Sequence, residues 1–312
     1  MKYWALAAGA ALAVSAALPT QAATPAQSPA QSGAPAPLTG QGVYLSYGND
    51  VRVLKSDGRP VWGSRAASFT GQFSASPDGR KVAWIDGKGR LHVSSATAGK
   101  TVDKIVARGA AYGGPCLTPA WSADSRRIAF PTAAAGGSGN QERTTVAAVG
   151  ADGKGLSTLG TTLGPCHLTW SADGRALAGY AGDTTGVHLL ATGSRTSTRV
   201  PGIKLANHVE SLSPDGRRVV VNAIGANANA GDGSWPLSFT PSIHDTRTGK
   251  KITIPVKGRL LGARYLRDGR LVVRVAGKPG NTLVVLDSSG KTLQRLSEKA
   301  GVRNLGLLQI LG

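Results

Sequence analysis

His208 and Glu210 stand two residues apart, which on an extended strand puts an imidazole and a carboxylate on one face. Such a pair can share a proton, orient a base or hold a small ligand. Glu210 also occupies a place where four equivalent segments carry Phe73, Pro119, Leu168 and Ala263. A carboxylate at an otherwise apolar position is costly unless paired. The spot is therefore either a small-ligand pocket or a salt link from Glu210 to an arginine such as Arg264. His167 is expected on another inner strand, near the same central channel. Two potential ligands do not make a metal centre, so neither a metal nor any other cofactor is expected.

The remaining chemical inventory is thin. Of 14 Asp and 3 Glu, seven aspartates (Asp57, Asp78, Asp124, Asp152, Asp173, Asp215, Asp268) fall in turns, where the side chain accepts from backbone N–H groups two residues on. Carboxylates paired at short spacing are absent, which leaves glycoside hydrolysis without support. No nucleophile elbow, zinc-protease helix, P-loop or dinucleotide fingerprint is present. The Gly-rich strings GGSGN and GDGSW lack the lysine of a phosphate cradle. Cys116 and Cys166, the only cysteines, each follow Gly-Pro and occupy matching places before two successive inner strands. In an exported chain they are expected to form a disulfide. His92, His188 and His244 fall on outer strands, where a partly exposed structural role is expected.

The elements that must position these residues are visible as a repeat. Five segments read FSASPDGRKVAWID (residues 73–86), PAWSADSRRIAFPT (119–132), LTWSADGRALAGYA (168–181), ESLSPDGRRVVVNA (210–223) and ARYLRDGRLVVRVA (263–276), with turn aspartates 46, 49, 42 and 53 residues apart. Four short strands per 40–50 residues is the signature of propeller blades. A second set of turns, such as Asp57-Gly58-Arg59, Asp152-Gly153-Lys154 and Ser289-Gly290-Lys291, follows strand-like runs in each unit. Each blade then has an Asp turn between strands A and B and a Gly turn between C and D. The hairpin at 42–62 has no Asp turn before it, and the apolar strand NLGLLQIL (304–311) has no partner after it. Joined, they complete a sixth blade and remove the open sheet edges. The prediction is an all-β, six-bladed β-propeller over residues 42–312, closed by its N-terminal hairpin and C-terminal strand. Ala75, Trp121, Trp170, Leu212 and Tyr265, three residues before their turn aspartates, should pack against the neighbouring blade. Long loops at 133–143 and 226–236 are expected to be either functional or disordered; Trp235 in the second contacts a partner or folds back on its blade.

Residues 1–22 have the charged start, apolar run and small-residue cleavage site of a secretory signal. Residues 23–41, rich in Pro, Ala, Ser and Gln, read as a disordered linker. No later stretch qualifies as a transmembrane helix. Net charge is +19, and removing Lys2 with the signal leaves +18. That balance serves solubility or attracts polyanions, and an exported chain meets acidic envelope polymers rather than nucleic acid. The basic residues are spread out, many in turns, with no run of five.

The blocks FSASPDGRKVAW, PAWSADSRRIAF and LTWSADGRALAG resemble the WD40-like β-propeller repeats of the TolB family, in which xxWSPDGxxIAF is the recurrent core of each blade. The resemblance covers nearly all of the chain after residue 41 and implies the fold; a fold by itself does not assign a function. TolB itself carries a small α/β domain before its propeller, where this chain has the linker. Peptidase relatives carry an α/β-hydrolase domain after theirs, where this sequence stops. The expected function is that of an exported, monomeric binding or scaffold module of the cell envelope, with a protein or an anionic envelope polymer as partner. The alternative is a hydrolase- or lyase-type enzyme with a channel site at His167, His208 and Glu210.

Overall fold

Each Asp turn folds as its residues dictate. Asp78 Oδ1 accepts from the Arg80 N–H at 3.0 Å and from the Ser76 hydroxyl at 2.5 Å, and Gly79 supplies a left-handed φ of 65°. Asp124, Asp173, Asp215 and Asp268 repeat the backbone bond, to the N–H groups of Arg126, Arg175, Arg217 and Arg270 at 2.9–3.1 Å. In the Asp124 turn, Ser125 takes the left-handed place of the glycine, with φ 59°.

The computed structural model describes residues 35–47, 50–64, 72–97, 100–114, 116–133, 143–228 and 235–312. Six antiparallel sheets of four strands form from them. Blade 1 is β4 (Phe73–Ala75), β5 (Lys81–Ile85), β6 (Arg90–Thr97) and β7 (Lys100–Arg108). Blade 2 is β8 (Ala120–Trp121), β9 (Arg127–Pro131), β10 (Thr144–Gly150) and β11 (Ser157–Thr162). Blade 3 is β12 (Cys166–Trp170), β13 (Ala176–Tyr180), β14 (Val187–Ala191) and β15 (Thr198–Arg199). Blade 4 is β16 (Ala206–Leu212), β17 (Arg218–Ala223), β18 (Ser242–Asp245) and β19 (Lys251–Ile252). Blade 5 is β20 (Leu260–Tyr265), β21 (Leu271–Val275), β22 (Thr282–Leu286) and β23 (Thr292–Ser297). Among the described residues there is no α-helix, and no helix long and apolar enough to cross a membrane.

Closure follows the predicted scheme. Blade 6 runs β24 (Gly306–Ile310), β1 (Gly42–Tyr47), β2 (Val51–Lys55), β3 (Pro60–Ser64), with Gly42 opposite Ile310 and Leu45 opposite Gly306. A buried polar knot ties it to blade 5. Glu298 accepts from the Tyr44 hydroxyl at 3.0 Å, Arg274 Nε at 2.9 Å and Asn281 Nδ2 at 2.8 Å. Burial, reinforced by Glu298, pushes the Tyr44 phenol well above its usual range.

Blade-to-blade packing uses the residues before the turns. Trp121 is buried among Ala83, Ile85 and Phe130, and its Nε1 donates to Ser74 O of blade 1 at 3.1 Å. Two expectations need correcting. Residues 36–41, placed in the linker, pack on the propeller: Leu38 is buried against Val272, Leu283 and Ile310, and Ala36 O accepts from Arg270. A single large apolar residue was enough to dock that stretch. His92, His188 and His244 are on the third strands as expected, but all are buried. His92 lies between Asp103 at 2.6 Å and Asp86 at 3.3 Å, stacked on Trp84; His244 donates to Gly249 O and accepts from the Ser242 hydroxyl.

Because successive strands are antiparallel, the A–B and C–D turns lie at one edge of each sheet. The B–C and D–A connections share the other.

Candidate functional site

The inner strands β12 and β16 are irregular where they carry the candidate histidines. Against β13, register shifts between Cys166 and Thr169; against β17, it shifts on both sides of His208, between Ala206 and His208 and between Val209 and Ser211. Bulges of this kind re-aim side chains. His167 itself has a left-handed φ of 46°, uncommon for a residue with a Cβ. The predicted Cys116–Cys166 disulfide is formed, with Cα atoms 4.7 Å apart, and the His167 N–H donates to Cys116 O at 2.8 Å. The bridge and that bond pin the unusual backbone.

Held this way, His167 meets His208 across the blade boundary, Nδ1 to Nδ1 at 2.7 Å. His208 Nε2 lies 2.7 Å from Glu210 Oε2, and Glu210 Oε1 is paired with Arg264. The chain of contacts fixes the protons. A carboxylate only accepts, so His208 Nε2 carries hydrogen. Burial disfavours the imidazolium strongly enough to lower the His208 pKa despite the opposing pull of Glu210. Its Nδ1 is therefore an acceptor, and His167 Nδ1 donates to it. For Glu210, burial pushes the carboxyl up, but Arg264 and His208 together hold it below its ordinary value. Four of the five predicted site residues thus form one polar row, and the salt link to Arg264 is part of it.

Trp235, the fifth, is folded inward and buried. Its ring lies 5.0 Å from that of His167 and 4.6 Å from that of His208, and Tyr47 donates to its carbonyl at 3.2 Å. Phe239 covers His208 from another side at 4.8 Å, anchored by its N–H on Leu261 O. Between them Leu237 crosses Gly306, where a Cβ would sit 3.2 Å away. Residues 235–239 thus form a strap over the inner strands at the end away from the turns. Beside it an opening of about 340 Å³, a figure that includes open solvent, is bordered by Glu210, Phe239, Leu261, Arg264, Arg274 and Leu307. Sequence reasoning named neither Phe239 nor Leu237; their spacing from Trp235 (Trp-Pro-Leu-Ser-Phe) was the available signal. Most of the two long loops, residues 134–142 and 229–234, lies outside the described residues.

A pH dependence follows from the row. An unfolded histidine titrates near 6.5, and folded His208 lies lower. Below pH 6.5 the unfolded chain binds more protons, so stability should be flat above that pH and fall on acidification toward the folded value. His188, lowered by burial and by Arg199 and Arg143, adds in the same direction. Urea midpoints at pH 5, 6, 7 and 8 should show the fall below 6.5, with a shallower slope in His208→Gln.

No family model matches the sequence, and no curated protein resembles it at the sequence level. Solved structures do. TolB from Acinetobacter baumannii is similar at TM-score 0.53 and 13% identity, over 88% of this chain and 68% of that one. A structure of a nidogen/laminin complex is similar at TM-score 0.51 and 10% identity, over 87% and 98%. Identities this low carry the fold and nothing further. Six four-stranded blades, Asp-turn repeats and closure by its own ends make this chain, in fold, a TolB-like six-bladed β-propeller.

Proposed function

We propose that this chain is an exported binding or scaffold module whose partner is a protein or an anionic cell-envelope polymer. One observation carries the reading. The two inner histidines are sealed, with His167 and His208 fully buried under Trp235 and Phe239, and Glu210, which borders the opening, is engaged by His208 and Arg264. A group that must meet substrate needs hydrogen-bond reach of it. What the molecule offers to solvent is cationic, at +18 after loss of the signal. The disulfide supports export, since such bonds persist in oxidising compartments.

The mature protein should be retained on isolated envelope material at low salt and released by about 0.5 M salt, where exposed charges are screened within a few ångströms. Absence of retention would end the reading. A turnover abolished by His208→Ala would replace it with the enzymatic one.

A further inference from the structure

Arginines that are scattered along the sequence are gathered by the ring. The five A–B turns form one circle, linked where the Asp173 N–H donates to Pro214 O and the Asp78 N–H to the Ser125 hydroxyl, and each bears an exposed arginine. The circle is Arg80, Arg126, Arg175, Arg217 and Arg267, one from each A–B turn. The C–D turns carry Arg59, Lys100, Lys154, Arg195, Lys250 and Lys291, but they lie on the flank of the ring, where Gly249 abuts Pro201 and Gly202 and Arg195 O accepts from the Thr161 N–H. Three A–B turns add a second basic residue directly, Lys81, Arg127 and Arg218.

Aspartates share this face but do not present themselves equally. Each turn aspartate is held in by the backbone N–H groups of its own turn. Arg175 and Arg217 have side chains 87% and 83% exposed, against 30% and 59% for Asp173 and Asp215; for Arg59 and Asp57 the values are 79% and 33%. Arg59 is ion-paired with Asp57 at 2.5 Å, whereas Arg175 and Arg217 stand 3.9 and 3.8 Å from Asp173 and Asp215 and keep most of their surface in solvent. A body approaching from this end therefore meets the cations first. Guanidinium forks match phosphate and carboxylate bidentately. A single exposed ion pair is weak, so a lone anion would not be held, whereas a chain engaging several arginines at once gains by avidity. The strap lies at the opposite end.

We propose that the A–B turn face is the docking surface for a linear polyanion, a polymer with repeated phosphate or carboxylate groups. The proposal rests on the binding-module reading above and names its face and its chemistry.

The test compares two quintuple variants of equal net charge. One carries Arg80→Gln, Arg126→Gln, Arg175→Gln, Arg217→Gln and Arg267→Gln. The other carries Lys88→Gln, Arg108→Gln, Arg143→Gln, Arg259→Gln and Lys278→Gln, all exposed at strand ends or connections on the B–C and D–A side. Dissociation constants for labelled linear polyphosphate and poly-glutamate are measured by anisotropy at low salt, and thermal midpoints verify folding. The turn-face variant should bind about tenfold more weakly or worse, with a shallower salt dependence, and the opposite-end variant within about threefold of wild type. The polymer with the larger loss identifies phosphate or carboxylate as the recognised group. Equal weakening in both variants would mean that net charge alone acts and would overturn the proposal, as would a larger loss in the opposite-end variant. If wild type binds neither polymer yet is retained on envelope material, the docking face falls and the binding module stands. If it is not retained at all, the module reading itself falls.

Discussion

Arg264→Leu should lower the stability of the propeller by about 3–5 kcal/mol, the usual cost of stripping one partner from a buried ion pair. Glu210 is only 4% exposed, and its two oxygens are divided between His208 and Arg264. Without the guanidinium, a carboxylate is left in an apolar channel with one neutral donor. Its pKa must then rise above the unfolded value, so the folded chain binds the extra proton. The sign of the pH effect inverts: the variant should gain stability on acidification through the carboxylate range, where wild type loses it. Adding Glu210→Gln removes the stranded charge and should recover most of the loss. Urea denaturation of the three proteins at pH 4.5 and 7.5 decides it. A loss under about 1 kcal/mol at neutral pH, or no recovery in the double variant, would show that the ion pair is not what holds this channel together.

How much of this was readable beforehand depended on whether the governing interaction was local. The Asp turns are local: Ser76, Asp78 and Gly79 contain their own hydrogen bonds and left-handed residue, so blade spacing and count were legible. The pairing of β1 with β24 was legible because each end lacked what the other supplied. His208 and Glu210 share a face by strand parity alone, and their bond is seen. His167 is different. Its meeting with His208 needs a bulge, a left-handed φ and a bridge to Cys116, none of which periodicity encodes. The strap is equally non-local, because Trp235 is buried by strands from other blades. Burial of the third-strand histidines depended on partners such as Asp103, whose register across β6 and β7 only the folded sheet sets. The arginine circle is the clearest case: no run of charge exists in the sequence, and only closure of the ring brings the five A–B turns together.

Closure is where the largest loss is expected. Leu308 and Ile310 on β24 are 3% and 5% exposed and belong to separate apolar clusters, the first with Val43, Val53 and Phe73, the second with Leu38, Val272 and Leu283. Truncating either to alanine should cost about 2–5 kcal/mol. Because the clusters are distinct, the two losses should nearly add, to about 4–10 kcal/mol, which rivals the roughly 5–15 kcal/mol that a domain has in total. The double variant should therefore express as insoluble or unfolded protein, its β1 edge left open to pair with other chains. Gln309 stands between them, half-buried, with a long 3.4 Å contact to Ala75 O. Gln309→Ala leaves the strand and both clusters in place and should cost under about 1 kcal/mol. A soluble, cooperative Leu308→Ala/Ile310→Ala protein with the denaturation midpoint of Gln309→Ala would mean that the ring does not depend on its seam. In that case stability would reside in the five continuous blades, and the sixth would serve only to cover their edges.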